Sequence, residues 1–115
     1  EVKGTLDKGV NEIEVASISA KELENKINSE YPPLLLDVRE EKELHDEYGH
    51  IQGIVHIPIW KLPQQISELE KDKDREVVTI CRSGARANTA AQILTKAGFI
   101  KVSVLNGGMV EWNRN

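Results

Sequence analysis

Val77-Val78-Thr79-Ile80-Cys81-Arg82-Ser83-Gly84-Ala85-Arg86 decides how the rest of this chain is read. Its first four residues are an apolar run of strand length, and residues 86–97 continue it with Ala87, Ala90, Ala91 and Leu94 spaced as one helical stripe. The chain's only cysteine therefore stands between a strand end and a helix start. Taken alone, a single cysteine after an apolar strand reads as a small buried hydrophobe. The loop around it reverses that reading. The free N–H groups of a first helical turn and the positive end of the helix dipole favour an anion, whether thiolate, persulfide or bound oxyanion. Ser83, Gly84 and Ala85 let the backbone curl tightly, with Gly84 free to take positive φ, so that amides converge on one atom. Arg86 is unfavourable at a helix N-terminus on dipole grounds. Its presence makes sense if something negative is held there.

Outward from this loop the pattern alternates. Val15 to Ile18 is a short strand. Ser19 and Glu22 form a capping box that opens a helix with Leu23 and Ile27 on one face, stopped before Tyr31-Pro32-Pro33. Leu34 to Val38 is a continuous apolar strand interrupted only by Asp37, the pattern of a strand covered on both faces. Glu40 to Tyr48 reads as a short acidic helix or turn, Ile54 to Ile57 as a strand, and Lys61 to Glu70 as a helix with Leu62, Ile66 and Leu69 in register. Lys71 to Arg75 is a solvated loop. Val102 to Leu105 is the last strand, and Gly107-Gly108 leads into a short helix holding Trp112. Strands alternating with helices predict an α/β fold with a parallel sheet covered on both faces. Ligands of such sheets bind beyond the carboxyl ends of the strands, where the Cys81 loop and the Asp37-Val38-Arg39 strand end both lie.

Composition narrows the partners. One domain over residues 15–115 fits the length, with residues 1–14, polar and containing two glycines, as an extension or linker. No membrane span or basic-then-apolar leader is present. The net charge of −4 divides into +4 over residues 77–115 (five basic, one acidic) and −8 over residues 1–76 (ten basic, eighteen acidic). A basic footprint with interleaved aromatics is lacking, so nucleic acid is an unsuitable partner and a small anion a better one. Glu1 in place of Met points to a processed N-terminus or a piece of a longer protein. A single cysteine excludes an internal disulfide; the lean is to the cytoplasm, with the periplasm open if the N-terminus is processed.

Four stretches in order, Leu35-Leu36-Asp37-Val38-Arg39, Gly49-His50-Ile51 with Gly53 and Ile57-Pro58, Val78 to Gly84, and Gly98-Phe99 with Leu105, Gly107-Gly108 and Trp112, give the chain a resemblance to the rhodanese-like domains, the single-domain sulfurtransferase type. The resemblance covers about residues 15–113. It implies a central, mostly parallel five-stranded sheet with helices on both faces. It also implies a cysteine that takes a sulfane sulfur from a donor such as thiosulfate, holds it as a persulfide and passes it to cyanide, a thiol or a protein acceptor. Ile54, Val55 and His56 depart from the small residue and Asn usual before the Ile-Pro pair. No cofactor is implied.

Carried onto these residues, Cys81 is the nucleophile, and helix terminus and arginines favour its thiolate. The amides of residues 82–86 (Arg82, Ser83, Gly84, Ala85, Arg86) hold the outer sulfur. Arg82 and Arg86 dock an anionic donor, while Ser83 supplies either a hydroxyl or loop geometry. Arg39 lines the substrate site and Asp37 gives structural support. His45, His50 and His56 lack metal spacing, so no metal is expected. Trp60 and Trp112 read as core, and Glu40, Glu41, Glu43, Asp46 and Glu47 as a solvated face. Two other classes stay open. A phosphatase or arsenate reductase of related fold would space five residues between Cys and Arg, where this chain has four. A regulatory binding module would commonly lack the cysteine.

Overall fold

The structure is a computed structural model that describes residues 14–114; the extension expected over residues 1–14 lies, but for Glu14, outside the described residues. Five strands, β1 (Ala16–Ile18), β2 (Leu34–Asp37), β3 (Val55–His56), β4 (Val77–Ile80) and β5 (Val102–Leu105), form one sheet in the order β1-β5-β4-β2-β3. Every pairing is parallel, where the sequence led only to a mostly parallel sheet. The α-helices are α1 (Ala20–Ile27), α2 (Leu62–Gln65), α3 (Ala85–Lys96) and α4 (Gly108–Trp112). Among the described residues no helix is long and apolar enough to cross a membrane.

The sheet separates two cores because successive strand residues face opposite sides. Leu34, Leu36 and Val77 pack with Ala87, Ala90, Ala91 and Leu94 of α3 and with Leu62 and Leu69 on one side. On the other, Leu35, Val78 and Ile80 meet Ala20 and Leu23 of α1 and Met109 of α4. β2 and β4 are buried at every position, which is why they read as continuous apolar runs. The buried Thr79 is accommodated by donating its hydroxyl to the Ala87 carbonyl at 2.8 Å.

Ser19 closes the expected capping box with Glu22. The single helix expected over Lys61 to Glu70 is instead three pieces: a 3₁₀ turn over Ile59–Lys61, the one-turn α2, and a 3₁₀ stretch over Ile66–Asp72. Pro63 lies in the first turn of α2, where its missing N–H has no partner in that helix, and the mixed winding still delivers Leu62 and Leu69 to the core. The acidic run likewise winds as a 3₁₀ turn over Glu41–His45. Trp60, read as core, is 60% exposed.

Candidate active site

Because all strands are parallel, β2 and β4 deliver Arg39 and Cys81 to the same rim. Cys81 follows Ile80 directly, and Gly84, at φ 121°, turns the chain into α3. The cysteine is 1% exposed, and its Sγ accepts the N–H of Gly84 at 3.0 Å and of Ala87 at 3.3 Å. Gly84 offers α3 no capping side chain; the sulfur takes over that part. Of the N–H groups that open a helix without intrahelical acceptors, two thus end on Sγ, which leaves those of Ala85 and Arg86 for a further acceptor. The Ala87 amide lies one residue beyond the stretch that sequence reasoning marked.

The loop is held from behind as well. Met109 donates its N–H to the Cys81 carbonyl at 2.9 Å and Val110 donates to the Arg82 carbonyl at 3.1 Å. With both carbonyls tied to α4, the loop is fixed in the sense that leaves amides on the sulfur side.

The two loop arginines differ. Arg86 makes a two-point ion pair with Glu43, Nη1 to Oε1 at 2.7 Å and Nη2 to Oε2 at 2.9 Å. Hydrogen bonding to Arg86 holds the Glu43 carboxyl down to about 2. The same pairing raises Arg86 above its ordinary value, with smaller contributions in that direction from Cys81 and Asp37. The negative partner that Arg86 called for is therefore in the first place a carboxylate of the protein, from the acidic run read as a solvated face. Arg82 is exposed, its guanidinium 4.9 Å from the centre of the Tyr48 ring, and no carboxylate among the described residues pairs with it. Ser83 and Ala85 are exposed at the lip.

Arg39 is not placed as a substrate ligand. It is 0% exposed, as is Asp37. Its Nε donates to both Asp37 oxygens at 3.0 and 3.2 Å, and Nη2 donates to Asp37 Oδ2 at 2.9 Å and to the Gly49 carbonyl at 2.8 Å. Nη1 donates to the Glu43 carbonyl at 3.0 Å. With no exposed surface it has none to offer a substrate; it ties the strand end to the Glu41–His45 turn and so fixes Glu43. Its own carbonyl meets His56 Nε2 at 2.7 Å, and His50 Nδ1 lies 3.0 Å from the Leu44 carbonyl. Among the described residues no three His, Cys, Asp or Glu side chains gather as metal ligands.

A five-stranded parallel α/β sheet that carries, on its carboxyl rim, a cysteine bonded to the first turn of the next helix defines a cysteine-loop α/β domain. The sequence model of the Rhodanese-like domain matches residues 19–115, and the chain belongs to that family. A sulfurtransferase of Allochromatium vinosum is 35% identical over 106 residues, covering 92% of this chain and 91% of that one. A provisionally named sulfur carrier protein of Bacillus subtilis, YrkF, is 36% identical over 110 residues; the match covers 96% of this chain but 57% of YrkF. The crystal structure of a rhodanese-like domain protein from Staphylococcus aureus superposes with a TM-score of 0.75 at 28% identity, covering 85% of this chain and 91% of that one.

Proposed function

We propose that this domain is a sulfurtransferase in which Cys81 takes a sulfane sulfur from a donor such as thiosulfate and passes it to a thiophilic acceptor, cyanide or a thiol, including a thiol on a protein. The observation that carries the reading is the Cys81 sulfur resting on the Gly84 and Ala87 amides at the start of α3. In the first half-reaction the Cys81 thiolate attacks the outer sulfur of thiosulfate, the S–S bond breaks, and its electron pair leaves with sulfite. The persulfide's outer sulfur then carries the negative charge, and the Ala85 and Arg86 amides supply donors for it. In the second half-reaction the acceptor attacks that outer sulfur and the Cys81 thiolate is returned. Relatives named sulfurtransferase and sulfur carrier protein support the reading.

Intact mass tests it. Incubation with thiosulfate should add one sulfur atom to the chain, later cyanide should remove it as thiocyanate, and Cys81→Ser should show neither step. Full transfer by the serine variant would refute the assignment. The same loop gives little support to phosphate ester cleavage, because four residues separate Cys81 from Arg86 and Arg86 is engaged by Glu43. Hydrolysis of p-nitrophenyl phosphate should stay at background, and a Cys81-dependent turnover with inertness to thiosulfate would replace the reading.

A further inference from the structure

We propose that Glu43 sets donor specificity: by holding Arg86 in a two-point ion pair beside the Cys81 loop, it withdraws the cation that would dock a dianion and tilts the site toward sulfur carried on a thiol persulfide, which brings at most one negative charge. This deepens the sulfur-transfer reading and rests on it.

Three observations carry the argument. First, Arg86 is one of the two cations of the Cys81 loop and interacts by charge with Cys81 itself, yet both its terminal nitrogens meet Glu43 oxygens at 2.7 and 2.9 Å. Second, the carboxylate is built in. Glu43 Oε1 also accepts the Glu40 N–H at 2.8 Å, the Glu43 N–H donates to the Glu40 carbonyl at 3.0 Å, and buried Arg39 holds the Glu43 carbonyl at 3.0 Å. A donor anion would have to displace a charge-assisted pair whose acidic partner is pinned through backbone and side chain. Third, the cation left at the lip is Arg82, which has no carboxylate partner among the described residues and lies over Tyr48. One cation faces two negative charges when thiosulfate enters, and sulfite must leave with two.

A thiol-borne donor avoids that conflict. The Cys81 thiolate attacks the outer sulfur of a persulfide in its RSSH form, the S–S bond breaks with its electron pair on the departing RS⁻, and the proton of the transferred sulfur passes to RS⁻, which leaves as RSH. One negative charge is carried throughout, from Cys81 Sγ to the departing sulfur and then, with the proton transfer, to the outer sulfur of the new persulfide.

The test compares the two donors on the same first half-reaction. The full chain and its Glu43→Gln variant are mixed with thiosulfate or with 2-hydroxyethyl persulfide, and Cys81 sulfuration is timed by intact mass with Cys81→Ser as the blank. Glutamine keeps an acceptor for the Glu40 N–H and removes the charge. The second-order constant for thiosulfate should rise about fivefold, the scale of one partly screened ion pair, and that for the persulfide should move by less than about twofold. The gain should shrink as salt is added. Glu43→Ser should shift the donor ratio in the same direction, which guards against a peculiarity of the amide. A fall in thiosulfate rate, or an equal rise with both donors, would overturn the role of Glu43 while leaving sulfur transfer intact. Failure of both donors to sulfurate the wild-type Cys81 would overturn the parent reading and this proposal together.

Discussion

Asp37 and Arg39 are charged side chains with no exposure at all, and what keeps them there is the completeness of their bonding. Arg39 spends its donors on Asp37 and on the carbonyls of Glu43 and Gly49. Removing one partner of such a pair leaves a buried charge uncompensated, which costs about 3–5 kcal/mol. Arg39→Ala should therefore lower the free energy of urea unfolding by about that amount. Arg39→Lys, which keeps a charge but loses the planar fork, should fall between it and the wild type. A loss below about 1 kcal/mol in the alanine variant, as for an exposed ion pair, would mean that the pair is unimportant to the fold. In the sequence the two residues stand two apart at a strand end, which is enough to expect a strand-end brace and a rim position. The chain's return past Gly49 and the Glu41–His45 turn, which buries Arg39, is a tertiary event with no local signature, so Arg39 read as a ligand. Glu43 was hidden for the opposite reason: it belongs to a run of acidic residues that resembles an ordinary wet face. The clue lay across the chain at Arg86, a cation where the helix dipole disfavours one.

At the level of elements, α4 does more than close the domain. Gly108 has φ 57°, and a Cβ added there would meet the Arg82 carbonyl and lie 2.5 Å from the Cys81 carbonyl oxygen. Gly107, at φ 76°, would instead bring a Cβ 2.5 Å from Cβ of Glu111 on α4 itself. Alanine at either position is strained by its positive φ, at about 1–3 kcal/mol, yet only at position 108 does the backbone of the cysteine loop have to move. Gly108→Ala should slow Cys81 sulfuration by about a hundredfold, the scale of a misplacement of about 1 Å. Gly107→Ala should lower stability comparably with a much smaller effect on rate. Single-turnover mass measurements beside urea unfolding of both variants separate the two effects, and equal rates in both would remove α4 from the control of the loop. The Gly107-Gly108 pair was legible as the entrance to a last helix, but not as the back wall of the site. The strands were legible as short apolar runs between polar or turn-forming residues, and α3 because its apolar spacing is carried over twelve residues. The segment from Ile59 to Asp72 was not, because its mixture of 3₁₀ and α winding presents Leu62 and Leu69 to the core at a spacing that also suits an unbroken α-helix.

Across the whole molecule, the alternation of strand and helix was sufficient to place the Cys81 loop and the β2 end on one rim, and the charge asymmetry of the chain acquires a physical meaning there. The excess of positive charge over residues 77–115 meets the excess of negative charge over residues 1–76 at Arg86 and Glu43, which join the start of α3 to the turn beyond β2. That bond couples folding to pH in a definite direction. Hydrogen bonding to Arg86 lowers the Glu43 carboxyl from 4.5 to about 2, so in acid the unfolded chain takes up this proton before the folded one does. The stabilisation is therefore fully present above about pH 4.5 and is lost as the pH falls toward about 2. Arg86 is about a third exposed and Glu43 less than a fifth, so the pair is partly screened and its contribution is modest. At neutral pH, Glu43→Gln should be the less stable protein even while it uses thiosulfate faster. Urea unfolding of wild type and variant across the acid range should show the gap between them narrowing through that window and closing at its lower end. A gap that stays constant with pH would show that glutamine loses packing or hydrogen-bond geometry rather than charge, and the faster use of thiosulfate would then need another cause.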